Sequence, residues 1–215
     1  MITVIIPTLW KCETTQTLLF DLISVDQIDE IIIINNDSTN TPKWDILNNC
    51  KIIIINKHQN IFVNPSWNLG VEISKNNSIC LLNDDITFDK SIFNLINEDL
   101  LLSVGLIGLD IYNNEGEPRI EQIQDWPFAF GCMMFVHKHK YKHIPEQLKI
   151  MWGDTFLLIN LKRFGLYVLR GSKVSNTISV TTGNSDVIAK YNLHQICAEE
   201  SNWWNNNQDK IYENI

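Results

Sequence analysis

The sequence lacks any apolar run approaching the roughly 18 residues a membrane-crossing helix needs. It opens on Thr3-Val4-Ile5-Ile6-Pro7 with no basic region and no small-residue cleavage site. These absences predict a cytoplasmic chain with no transmembrane segment. Cysteine patterning is missing too. Cys12, Cys50, Cys80, Cys132 and Cys197 are odd in number and widely spaced, with no C-x-x-C and no zinc spacing, as suits a reducing compartment. Positive charge is scarce: 17 Lys and Arg against 25 Asp and Glu leave a net charge of −8, which repels nucleic acid and anionic membrane. No nucleic-acid partner is expected. No G-x-G-x-x-G follows an apolar run and no G-x-x-x-x-G-K-[ST] occurs, so the usual phosphate cradles of dinucleotide oxidoreductases and P-loop enzymes are absent.

What is present suits one globular domain. At about 150 residues per domain, 215 residues predict a single unit, and 45% hydrophobic residues supply its core. Tracts of Asn, Ile and Lys at 31–36 and 51–56 suit an AT-rich genome, a viral one included. Short apolar runs at Thr3 to Pro7, Glu30 to Ile34, Lys51 to Ile55 and Ser78 to Leu82 alternate with helical segments, the pattern of β-α-β units around a buried parallel sheet. Leu18, Leu19, Leu22 and Ile23 make an amphipathic stripe. Asn64-Pro65 reads as a helix start, with Asn as the cap and Pro in the first helical position, and the helix runs to about Lys75. A helix after Asp89 and a strand at Val104 to Leu109 follow. Asn113-Asn114-Glu115-Gly116 reads as a hairpin tip leading into Arg119 to Gln124, before a run from Phe128 to Val136. Asp154 opens a short helix through Leu161, Gly165 to Val174 offers one or two strands, and Asp186 to about Trp204 forms a C-terminal helix.

In open α/β sheets ligands bind outside the carboxyl ends of the strands. Polar residues gather there: Thr8 after the first strand, Asn35-Asn36-Asp37-Ser38-Thr39 after the second, and Asn83-Asp84-Asp85 after the fourth. Adjacent acids at a strand end can hold a hard divalent cation, Mn²⁺ or Mg²⁺, that neutralises a diphosphate in place of a Gly-rich loop. The same acids can also merely form an Asx turn or cap a helix.

Together these residues resemble the family 2 glycosyltransferases, enzymes of the GT-A fold. Thr3 to Thr8 is similar to the family's opening strand, and Glu30 to Asn40 to its second strand and acidic turn. Asn60, the helix containing Trp67-Asn68-Leu69-Gly70, and Asn83-Asp84-Asp85 resemble its Asn-x-Gly helix and D-x-D-type motif. Gly131-Cys132-Met133-Met134-Phe135-Val136 is similar to the strand beside the donor sugar, and Trp152-Gly153-Asp154 to the acidic motif that supplies the catalytic base. The resemblance implies a single GT-A domain, mainly parallel with a small antiparallel extension. Residues 1–110 would form the nucleotide-binding half and 111–215 the acceptor-binding half. It implies metal-dependent, inverting transfer of a hexose from a UDP-sugar to a hydroxyl of a glycan or glycoconjugate. Asp154 would be the base and Asp85 the metal ligand; Asp110 or Asp125 is the next acid to test should Asp154 prove dispensable. Pro7, Thr8, Trp10, Asn35, Asn36, Asp37, Asn60, Trp67, Asn68, Asn83, Asp84 and Gly131 would bind the nucleotide-sugar.

Three positions depart from the family pattern. Asn35 and Asn83 stand where acids are common; an amide can still read a uracil edge, and Asn83 shifts the metal burden to Asp85. Trp67 replaces a frequent basic residue. His194 is either a packed histidine on a face with Val187, Tyr191 and Ala198 or a further metal ligand. His137 to His143 reads as a solvated junction, Trp203-Trp204 as packing, and Asn205 to Asn207 as a frayed terminus. A non-catalytic nucleotide-sugar or glycan-binding domain and a nucleotidyltransferase remain as alternatives.

Overall fold

The computed structural model describes residues 1–113, 115–124, 131–176 and 183–213. In chain order these form β1 (Ile2–Thr8), α1 (Thr15–Ile23), β2 (Ile28–Asn35), β3 (Ile52–Asn56), α2 (Val63–Ile73), β4 (Ser78–Leu82), β5 (Ile86–Phe88), α3 (Glu98–Ser103), β6 (Leu106–Leu109), β7 (Arg119–Ile123), β8 (Met133–His137), α4 (Gly153–Leu161), β9 (Leu166–Arg170), β10 (Val174–Asn176), α5 (Ser185–Tyr191) and α6 (Leu193–Glu213). Eight strands make one sheet in the order β3-β2-β1-β4-β8-β6-β9-β7, and β5 pairs with β10 in a separate ribbon. The first four in that order run parallel, as do β6 and β9. β8 is antiparallel to both its neighbours, and β7 is antiparallel to β9. This is the α/β class expected, mainly parallel with antiparallel additions.

Side chains alternate across the sheet as the pleat requires. Val4, Ile6, Ile31, Ile33, Cys80, Leu82, Met133 and Phe135 face one core, which α1 completes with Leu18, Leu19 and Leu22. Ile5, Ile32, Ile34, Ile79, Leu81, Met134 and Val136 face the other, covered by Trp67 and Val71 of α2, Phe156 to Ile159 of α4, and Trp204 of α6. Burial on both faces explains why these strands read as continuous apolar runs. Gly70 lets α2 lie against β1, because a Cβ there would stand 2.3 Å from Ile5 Cγ2.

Several expectations are corrected. α2 begins at Val63, so Asn64 is not its cap; Pro65 sits third in the helix, where no backbone N–H is needed. The turn containing Gly116 (φ 86°) is no tip between neighbouring strands, since β9 lies between β6 and β7. The C-terminal helix is broken at Asn192, whose left-handed backbone (φ 52°, ψ 46°) ends α5 before α6 starts. His194, two residues past the break, is exposed and not packed. Asn205 to Asn207 are helical, not frayed.

The basic cluster at the end of β8 is not simply solvated. His137 is buried, Lys138 Nζ donates to the carbonyls of Glu72 (3.2 Å) and Ser74 (2.6 Å), and Lys140 Nζ to those of Leu101 (3.3 Å), Leu102 and Val104 (2.6 Å). Both cations therefore satisfy the open carbonyls at the ends of α2 and α3. No helix among the described residues is long and apolar enough to cross a membrane. Asp125 and the start of the Phe128 to Val136 run lie outside the described residues.

Candidate active site

The carboxyl ends of β1, β2 and β4 open on a cleft of about 610 Å³. Because β8 runs in reverse, its entry at Gly131 and Cys132 meets the same end of the sheet, and the start of α4 closes the wall. Pro7, Thr8, Asn36, Asn60, Trp67, Asn83, Asp84, Asp85, Gly131 and Asp154 all line it. Thr8 and Asp84 are joined across adjacent strands: the Thr8 hydroxyl donates to Asp84 Oδ2 (2.5 Å) and accepts from the Trp10 N–H (2.8 Å). Asp84 is buried, and burial pushes its carboxyl from 3.8 up to about 6, with the Thr8 bond opposing and the neighbouring Asp85 adding to the rise.

That shift fixes a pH dependence. The unfolded chain ionises Asp84 near pH 4 and the native state only near 6, so the native state holds more protons in between and stability falls as pH rises through that window. The shift is equivalent to about 3 kcal/mol. Asp84→Asn is therefore expected to gain more stability over the parent at pH 8 than at pH 4, read from urea midpoints. Equal gains at both pH values would contradict this.

Asp85 presents a different surface. Its Oδ1 is buried with no hydrogen-bond partner, and desolvation raises its pKa. Beside it Cys132 lines the cleft as an inert thiol, pushed up to about 12 by burial and by the Asp85 charge. On the same cleft Asp154 sits in the first turn of α4, where its Oδ1 accepts the Thr155 N–H at 2.8 Å. Burial raises its pKa as well. Gly131 packs directly on this carboxylate; a Cβ would stand 2.5 Å from Asp154 Oδ2. Gly153 packs likewise on Asn64, where a Cβ would lie 2.1 Å from Oδ1.

Five expected residues do not line the cleft. Asn35 is fully buried and its amide is committed, donating to Thr41 Oγ1 and Asn56 Oδ1 (both 2.7 Å) and accepting from the Asp37 N–H (3.1 Å), which leaves it no edge for a uracil. Asn68 is a strut. It donates to the Ile144 carbonyl (2.8 Å) and accepts from the Tyr141 hydroxyl (2.8 Å) and the Ile144 N–H (2.9 Å). Asp37 pairs with Lys190 of α5 at 2.9 Å, Trp10 packs edge-on against Trp44, and His194 is exposed. Asp110 is no free base: it accepts from the Tyr112 and Asn113 N–H groups, Asn113 Nδ2 and Arg170 Nε, and so fixes the loop that places Ile111 and Tyr112 on the cleft.

The sequence reading missed Phe62, Asn64, Ile111, Tyr112, Ile150, Met151, Val187 and Leu193, which also line the cleft. Two rim aromatics, Phe62 (φ 66°) and Trp152 (φ 64°), hold left-handed backbones that cost a non-glycine residue about 1–3 kcal/mol each. Trp152 carried a signal in its Trp-Gly-Asp context. Glu200, which binds the loop before it, carried none.

The sequence pattern of the family described as "Glycosyl transferase family 2" matches residues 3–154, a span that reaches from β1 to Asp154. Among curated proteins none matches. The fold is shared with residues 1–349 of S. aureus TarS in complex with UDP-GlcNAc, at 13% identity and a TM-score of 0.58 over 92% of this chain and 66% of that one. S. aureus TarS itself aligns at 14% identity and a TM-score of 0.56 over 79% of this chain and 35% of its own, so the present chain spans only part of it. A mycobacterial protein aligns at 12% identity and a TM-score of 0.56, over 88% and 73%. The matched span ends on the acid that closes the cleft, and with well over half of its length covered the chain belongs to glycosyl transferase family 2.

Proposed function

We propose that this chain transfers a hexose from a UDP-sugar to a hydroxyl of a glycan or glycoconjugate, with inversion at the anomeric carbon. The observation that carries this reading is the placement of Asp84 and Asp85 at the end of β4 and Asp154 at the start of α4 on one cleft. Residues 1–110 supply the nucleotide end and 111–215 the acceptor end. Support for UDP comes from TarS, which has been seen with UDP and with UDP-GlcNAc. Asn35 no longer adds to it.

Among the described residues the cleft carries three carboxylates and no Lys or Arg. A diphosphate there needs a cation, and the orphaned Oδ1 of Asp85 is an oxygen donor of the kind a hard divalent ion, Mn²⁺ or Mg²⁺, prefers. When bound, such an ion supplies Lewis-acid neutralisation of the departing diphosphate. Asp85 would hold it, and Asp84, engaged by Thr8, supports the strand end. Asp154 accepts the proton of the acceptor hydroxyl as its oxygen bonds to the anomeric carbon and the bond to the diphosphate breaks. The same lack of basic residues disfavours a nucleotidyltransferase, which has a triphosphate to hold.

Melting temperatures with UDP, GDP and CMP, each with and without Mn²⁺, test the donor. A ligand that binds only the native state raises stability, and UDP with Mn²⁺ is expected to give the largest rise. Equal rises from all three nucleotides, or none with metal present, would remove the donor assignment. Release of UDP from UDP-sugars separates the transferase from a binding module, which would bind without turnover.

A further inference from the structure

Glu200, on α6, is 1% exposed and its carboxylate accepts three successive backbone N–H groups: Oε1 from Lys149 (2.6 Å) and Ile150 (2.8 Å), Oε2 from Met151 (2.7 Å). One helical turn along the same face, Trp204 stacks on Trp152, with ring centroids 5.1 Å apart and planes 6° apart. The carbonyls of the segment are taken from the opposite side by α2: the Lys149 carbonyl accepts the Asn64 N–H (3.0 Å) and the Met151 carbonyl accepts Asn64 Nδ2 (3.1 Å). Residues 149–152 are thus held between two helices, and the next two residues are Gly153 and Asp154. Trp152 keeps a left-handed backbone, a state that persists only where the surroundings impose it.

We propose that Glu200 is a positioning residue for transfer, holding the 149–152 segment so that Asp154 meets the acceptor hydroxyl in reacting geometry. This rests on the reading of Asp154 as the base. A single carboxylate facing three N–H groups forms charge-assisted bonds that are stronger than neutral ones. It sets the direction of three peptide planes at once. Reaction geometry is sensitive on this scale, since a displacement of about 1 Å can cost about 100-fold in rate. Glu200 lies 46 positions beyond Asp154 in the chain, so the last helix completes a site whose other acids come from the first 154 residues.

Glu200→Gln tests this best, because it keeps the volume and one accepting oxygen but turns an NH₂ toward the Met151 N–H. The measurements are UDP release from the UDP-hexose the parent turns over, UDP affinity by calorimetry, and hydrogen exchange of the 149–151 amides. The expected result is a kcat at least 10-fold lower, with donor KM and UDP affinity within about twofold of the parent. Exchange should accelerate at 149–151 while the amides of β1 and β4 keep their protection. In an Asp154→Asn background the same substitution should cost nothing further. Parental kcat despite faster exchange would overturn the role. So would a parallel loss of kcat and UDP affinity, or an unfolded chain, either of which makes Glu200 a support of the whole fold. If Asp154→Asn alone retained parental turnover, the base reading would fall, while the Glu200→Gln kcat would still decide whether the segment must be held. A parent releasing no UDP from any UDP-hexose would overturn both.

Discussion

Asp154→Asn is expected to slow transfer about 100-fold or more while UDP binding stays within about twofold. The amide keeps the shape that fits against Gly131 and can still accept the Thr155 N–H, so the start of α4 is undisturbed. It cannot take a proton. The parent should also show a distinctive acid limb. Burial raises the Asp154 pKa, so the ionised base is lost, and turnover with it, at a pH above the ordinary carboxylate range. The variant should lack that limb in its residual rate. Kinetics across pH with one acceptor decide the matter: parental turnover in the variant would remove Asp154 from the mechanism, and loss of UDP affinity would make it structural.

The second large effect is expected at Asp85. Asp85→Ala should lower UDP affinity in Mn²⁺ at least 10-fold and abolish the difference that Mn²⁺ makes, because the cleft then loses the strand-end carboxylate whose Oδ1 has no hydrogen-bond partner. Asp84→Ala should do less, since Asp84 already spends an oxygen on Thr8. The fold should tolerate the Asp85 change, and melting without ligand is expected to rise slightly as a half-buried charge is removed. Calorimetric titration of UDP into both variants, with and without Mn²⁺, measures this. Equal metal-dependent binding in parent and Asp85→Ala would discard the motif reading.

β1, β2 and β4 were legible because they are buried on both faces and so read as unbroken apolar runs, from Val4-Ile5-Ile6 to Cys80-Leu81-Leu82. The acids at the strand ends were legible for the related reason that polar residues stop such runs where the ligand side begins. Less visible were roles set by partners distant in sequence. Nothing local to Asn35 or Asn68 reveals that Thr41, Asn56, Tyr141 and Ile144 consume their amides. Nothing local to Glu200 reveals three backbone donors some 50 residues earlier. The left-handed backbone at Asn192 cut one expected helix into two, and an Asn inside an amphipathic pattern is too common to announce it.

The two borders of the large sheet differ in kind. β7 ends it with Arg119 and Glu121 set in alternation, charges that discourage another chain from pairing there. β3 ends it with four isoleucines in a row, Ile53 is 43% exposed, and no strand lies on its outer side among the described residues. Lys51 and Lys57 bracket the run, but Lys51 is spent on the carbonyls of Ile23 and Val25 at the end of α1. Colloidal behaviour follows from this asymmetry. Repulsion between chains of net charge −8 opposes pairing at the β3 border, so concentrated salt or a pH near 5.0, the sequence pI, weakens that repulsion and favours edge-to-edge association.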